Sequence, residues 1–191
     1  MVIAEVIGLI STIFWLLPPF RQYKSQYFLY FLVLALSDPV ALLCMEVLRW
    51  SPNMIYPFTG LILFYTIGFS FLNIRRLWII HLSLILAFTL SLFYVDNILY
   101  VVLALHFLIL FKFVRSILFM IFNNKLFNTF YLALSFYELS IVVNLSVFLS
   151  GSNLHIVMYY ITLAFQILLA IFFTIFTEKS KFLIIPLRSV D

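Results

Sequence analysis

Few residues in this chain could do chemistry, and they are widely spaced. Asp38 stands beside Pro39 in Leu34-Ala35-Leu36-Ser37-Asp38-Pro39-Val40-Ala41-Leu42-Leu43-Cys44, a run apolar on both sides for a membrane width. His106, Glu138 and Gln166 lie in three further apolar runs. An ionised carboxylate inside hydrocarbon is costly unless it is paired, hydrated or protonated. The chemistry open to these four side chains is therefore binding, of a proton, an ion or a polar ligand. The structural alternative is a set of interhelical hydrogen bonds, about 1 kcal/mol each, that only fixes packing.

Composition says what must carry them. The 191 residues are 66% hydrophobic, 20% aromatic and 9% charged, with a mean hydropathy of +1.21. Soluble domains carry about 25% charge, so this chain has too little polar surface to face water. The expected fold is all-α, a polytopic membrane protein of seven transmembrane helices over residues 1–176, followed by a basic cytoplasmic tail over 177–191. The spans are expected at Val2 to Leu17, Tyr27 to Leu48, Met54 to Leu72, Leu77 to Val95, Ile98 to Leu118, Phe127 to Leu149 and Leu154 to Phe176. Breaks are marked by Pro18-Pro19, Arg49-Trp50-Ser51-Pro52-Asn53, Asn73-Ile74-Arg75-Arg76, Asp96-Asn97, Asn123-Asn124-Lys125 and Ser150-Gly151-Ser152-Asn153. Pro57 falls in the first turn of the third span, where a missing N–H costs little. Met1 to Leu17 has no basic leader and no small-residue cleavage site after it, so it reads as a permanent first helix.

Charge supplies the orientation. All of the eleven Lys and Arg except Arg49 fall on one side of a seven-span arrangement. The positive-inside rule then expects the N-terminus outside and the C-terminus in the cytoplasm. The net charge of +4 is explained by these helix-end cations, and no nucleic-acid partner is expected. The bilayer itself is the expected partner, together with a membrane protein met through the bundle or the cytoplasmic face. Oligomeric state is left open.

Counting inward at about 1.5 Å per residue puts Asp38, His106, Glu138 and Gln166 at one level, near mid-membrane, in four different spans. Ser11 and Thr12 reach a similar depth in the first. Lipid offers such groups no partners, so they should turn inward and find one another. Pro39 removes a helical hydrogen bond and crowds the Ala35 carbonyl, which makes it a candidate kink and hinge. Ser37, Ala41 and Cys44 form a stripe of small side chains that lets a neighbouring helix approach.

Leu34-Ala35-Leu36-Ser37 recurs as Leu132-Ala133-Leu134-Ser135, and Tyr56-x-x-Thr59 as Tyr159-x-x-Thr162. These matches suggest a parallel repeat, three helices, a linker helix and three more, as in some carriers. On that alignment Asp38 matches Phe136, so the two acids share a depth without being repeat-equivalent. Pro18-Pro19-Phe20-Arg21-Gln22-Tyr23-Lys24-Ser25, after an apolar helix, resembles the proline-glutamine loop of the SWEET and PQ-loop carriers. That resemblance implies a three-one-three plan with an outside N-terminus. Here Phe20, not glutamine, follows Pro19, and Asn123-Asn124-Lys125 has no proline.

Other chemistry finds little support. His81, His106 and His155 lie at three depths and no H-x-x-x-H occurs, so no metal centre is expected. Gln166 occupies the mid-depth of the last span, leaving no lysine there for a retinal Schiff base. No G-x-S-x-G, P-loop or dinucleotide glycine pattern is present, and Ser37 and Ser135 lack an evident base. No catalytic residue and no cofactor is assigned. Cys44 reads as a small packing residue, and Trp15, Trp50 and Trp78 as interfacial anchors. The apolar tail segment Phe182-Leu183-Ile184-Ile185 is expected to dock on the bilayer surface or on another protein.

Three functions follow. The first is a non-enzymatic sensor-like or accessory, partner-binding membrane subunit with a mid-depth polar site. The second is a carrier of a small solute or proton. The third is a lipid-modifying membrane enzyme. The 24 Phe and only 4 Gly favour a fixed scaffold, since sliding helix contacts tend to use small residues.

Overall fold

In the computed structural model, described for residues 2–68, 78–94 and 97–187, the apolar runs are helices and the breaks fall where turn residues interrupt them. The elements are α1 (Val2–Trp15), α2 (Pro18–Gln22), α3 (Phe28–Leu48), α4 (Pro52–Gly68), α5 (Trp78–Tyr94), α6 (Leu99–Asn124), α7 (Thr129–Leu149) and α8 (His155–Ile175). The tail adds a 3-10 turn (Lys181–Leu183), and two short strands, β1 (Leu126–Asn128) and β2 (Ile184–Pro186), pair with each other. Four helices, α3, α6, α7 and α8, are long and apolar enough to cross a membrane. Shorter apolar runs occupy Val6–Gln22, Met54–Ile67 and His81–Ser91. The expected connection Asn73-Ile74-Arg75-Arg76, and Asp96 and Arg188, lie outside the described residues.

Helix ends follow local chemistry. Pro18 and Pro19 do not end the chain's helical course; they open α2, whose first positions need no N–H. α4 begins at Pro52, two residues before the expected start, so Pro57 falls in its second turn and not its first, and it is buried. α3 and α6 close alike. Arg49 and Lys125 take left-handed conformations (φ 54° and 51°), and their N–H groups return to the carbonyls of Cys44 and Met120. Asn128 caps α7, its side-chain oxygen accepting from the Phe130 N–H at 2.9 Å.

Six helices form a closed cylinder in chain order: α1 packs on α3, α3 on α4, α4 on α6, α6 on α7, α7 on α8, and α8 returns to α1. α5 stands outside this cylinder. Phe88 packs on Phe58 of α4 with centroids 5.6 Å apart, and His81 stacks on Tyr65 at 5.5 Å. Large apolar side chains such as Leu43, Val47, Phe107, Phe111 and Leu168 cover the outside. A sheath of that extent suits lipid and not water.

One half of the interior is filled by aromatic rings. Phe31, Phe130 and Phe173 meet at 4.9–6.4 Å, and all three are fully buried. Trp15 is part of this core, with its centroid 4.7 Å from that of Tyr137. The interfacial reading of Trp15 is therefore corrected: it ends α1 but faces inward, where its ring fills space between α7 and α8. Trp50 is exposed.

The end of the cylinder next to this core is laced together. Gln22, wholly buried, donates from Nε2 to the carbonyls of Phe173 (2.9 Å) and Phe176 (2.7 Å), and Arg21 Nε donates to Ile175 O (3.1 Å). These donors satisfy carbonyls that the last turn of α8 leaves unpaired. Ser25 Oγ donates to Glu178 Oε2 (3.1 Å), and Asn128 Nδ2 to the Glu178 carbonyl (2.9 Å). The tail docks on its own chain: Leu126 faces Pro186, Phe127 faces Ile185 and Asn128 faces Ile184 in an antiparallel pair. Leu183 is buried, while Phe182 is exposed.

Candidate ligand-binding site

The other half of the cylinder is open. A cavity of about 300 Å³ lies between α3, α4, α6, α7 and α8, and Asp38, His106 and Gln166 all line it. Tyr56, Thr59, Tyr137 and Asn144 add polar groups to its wall. It shares Tyr56, Leu99, Asn144 and Leu145 with a vestibule of about 500 Å³ that reaches Phe148, His155 and Tyr159 at the end away from the tail.

Glu138 does not line the cavity; it lies behind His106. Its side chain is fully buried on α7. One carboxylate oxygen meets His106 Nδ1 of α6 at 2.7 Å, and the other accepts from the Tyr30 hydroxyl of α3. Each oxygen therefore has a partner from a different helix, as a buried acid requires. With Nδ1 so engaged, Nε2 is the ring nitrogen His106 has left for other partners. Three helices converge on one carboxylate here.

Asp38 is placed differently. It is exposed, and among the described residues its one hydrogen bond is with Thr12 of α1, whose Oγ1 lies 3.4 Å from Oδ2. The same hydroxyl is closer, 3.1 Å, to the Gly8 carbonyl. A hydroxyl has one proton, so that bond to Asp38 is shared. Tyr56 of α4 and Tyr137 of α7 line the same cavity as Asp38.

Gln166 donates from Nε2 to Ser140 Oγ at 3.1 Å, tying α8 to α7 at the cavity's edge. Pro39 lies inside α3, which continues unbroken from Phe28 to Leu48. Gly60 lets α4 approach α6: a Cβ built there would stand 3.3 Å from Leu105 Cδ1. His155 turns its Nδ1 to the Ser152 carbonyl at 3.0 Å, a local contact at the start of α8. Among the described residues no group of three His, Cys, Asp or Glu could hold a metal ion.

Tyr30, Tyr137 and Asn144 were not among the residues singled out from sequence, and Tyr56 was noted only in the repeat match. Tyrosine near a span end reads as an interfacial anchor, and nothing in residue type separates an anchor from a partner for Glu138. Asn144 did carry a signal, as an amide within an apolar helix.

Beyond the aromatic core, towards the tail, lies a second cavity of about 320 Å³, lined by Gln26, Tyr27, Thr66, Lys112, Phe113 and Tyr131, among others. Tyr30 touches Phe113 (5.9 Å) and Phe31 (5.4 Å), so the layer between the two cavities is built of rings. Comparison with known proteins returned no matching family model, no matching curated protein and no matching solved structure.

Proposed function

We propose that the protein is a non-enzymatic polytopic membrane protein that receives a small polar solute in the cavity beside Asp38 and His106, acting as a sensor-like or accessory subunit. One observation carries this reading: the polar cavity beside Asp38 and His106 adjoins a vestibule away from the tail, while a layer of aromatic rings lies on its other side. A solute that enters is held at mid-depth by Asp38, His106 and Gln166, with Glu138 fixing the imidazole from behind. α1 with α2, α3, α4, α5, α6, α7 and α8 supply seven spans. The cation-rich end, with Arg21, Lys24, Lys125, Lys179 and Lys181, faces the cytoplasm by the positive-inside rule. The N-terminus and the open cavity then face outside, and the laced end offers a partner a rigid, basic surface.

A second reading, a small-solute or proton-coupled carrier, is favoured by the second cavity on the far side of the same ring layer. Alternating access needs a site reachable from each side in turn. The two triplets α1-α3-α4 and α6-α7-α8 have matching neighbours around the cylinder, which suits a three-one-three repeat, and Pro39 is where α3 would bend. The test measures ligand-induced stabilisation of the purified protein and uptake in proteoliposomes side by side. The sensor reading expects a solute that raises the melting temperature without uptake. Uptake abolished by Glu138→Gln would replace it with the carrier reading. A solute panel giving neither would remove both.

A further inference from the structure

The proposed ligand-receiving role can be narrowed to a chemical class by the charge of the cavity. Two carboxylates stand near it, and they are not equivalent. Both oxygens of Glu138 are taken, one by His106 and one by Tyr30, so neither is left for a ligand. Asp38 has no cationic partner among the described residues, only a shared hydroxyl. No Lys or Arg is among the described residues lining the cavity.

We infer that the ligand is a small organic monocation, an ammonium compound held by the Asp38 carboxylate and faced by the tyrosines around it. This rests on the ligand-receiving reading and specifies its ligand. An ammonium group supplies the one charge the cavity lacks. Tyr56 and Tyr137 line the same space, and Tyr159 stands in the adjoining vestibule. Aromatic faces attract cations, most strongly where water is scarce. A neutral solute would leave Asp38 without a charged partner, and an anion would meet it with repulsion. A dication would need a second unpaired acid, and Glu138 is already engaged. The volume, about 300 Å³, is at the small end for ligand sites and fits a single compact molecule.

The test uses the full chain in uncharged detergent, with melting temperature and calorimetric titration as readouts. The probes are tetramethylammonium, choline, the uncharged carbon isostere of choline, and betaine, which adds a carboxylate. Saturable stabilisation is expected with the first two and none with the isostere or betaine. Asp38→Asn should weaken choline binding by about tenfold or more, as expected when one partner of a close charge pair is neutralised. Tyr56→Ala should weaken it less and, should Asp38→Asn fail to fold, provides the second measurement. Equal binding of choline and its isostere, or unchanged binding in a folded Asp38→Asn, overturns the inference. If ammonium probes fail but neutral sugars or polyols stabilise the protein, the charge argument is wrong and the ligand-receiving role survives. If no solute of any charge binds, both are wrong.

Discussion

The two halves of the cylinder treat an acid in opposite ways. Where α3, α4, α6 and α7 leave a cavity, Asp38 is exposed and meets one shared hydroxyl. Where Phe31, Phe113, Phe130 and Phe173 close the interior, Glu138 is fully buried and both its oxygens are engaged from other helices. A buried carboxylate without partners is costly, so the packed half has to provide them. An accessible cavity lets water do so, and the acid stays available to a ligand. An acid that ties helices together and an acid left accessible can therefore be close neighbours, with His106 bonded to the first and lining a cavity with the second.

The contrast can be broken most strongly at Glu138. Glu138→Ala leaves His106 and Tyr30 without their shared acceptor and is expected to cost about 3–5 kcal/mol, read as a fall in melting temperature in detergent. Glu138→Gln, which keeps an acceptor for Tyr30, should cost clearly less. A loss under about 1 kcal/mol for the alanine variant would mean the triad is not what closes the packed half.

Gln22→Ala comes next. It removes two hydrogen bonds to the end of α8 and strands buried carbonyls, for an expected loss of about 1–3 kcal/mol. Proteolysis should reveal faster cleavage of the tail after residue 177, because the turn that carries Glu178 follows directly on α8. An unaltered digestion pattern would argue that the laced end is held by the strand pair alone.

Gly60→Ala should cost about 1 kcal/mol, because Leu105 must yield a few tenths of an ångström. Gly8→Ala meets nothing within 4 Å and serves as the control, with no loss expected. Equal melting temperatures for the two variants would show that α4 and α6 are not closely apposed.

The smallest effect on stability is expected at Asp38. Asp38→Asn should change it by no more than about 0.5 kcal/mol, as for an exposed site with one weak contact. Accessibility sharpens the same point. In a Cys44→Ser background, Asp38→Cys should react with a water-soluble thiol reagent and Glu138→Cys should not. Similar labelling at both positions would erase the distinction between the halves.

Part of this was legible in the residues themselves. Counting along helices put Asp38, His106, Glu138 and Gln166 at one level, and the structure brings three of them to one cavity with the fourth behind it. Facing was not legible. Trp15 and Tyr30 lie near helix ends, where such residues ordinarily anchor at the headgroups, yet both point into the core. The pairing of Leu126–Asn128 with Ile184–Pro186 joins segments far apart in the chain, and neither shows the alternation of an isolated hairpin.

What the amino-acid sequence alone determined is a chain too apolar for water and most of the places where it turns. These follow from composition and turn residues. Which side of each helix looks inward was decided only by tertiary packing. Lipid is as apolar as a protein core, so hydrophobicity does not mark the buried face, and only the meeting of shapes and hydrogen-bond partners made Glu138 part of the frame and left Asp38 exposed.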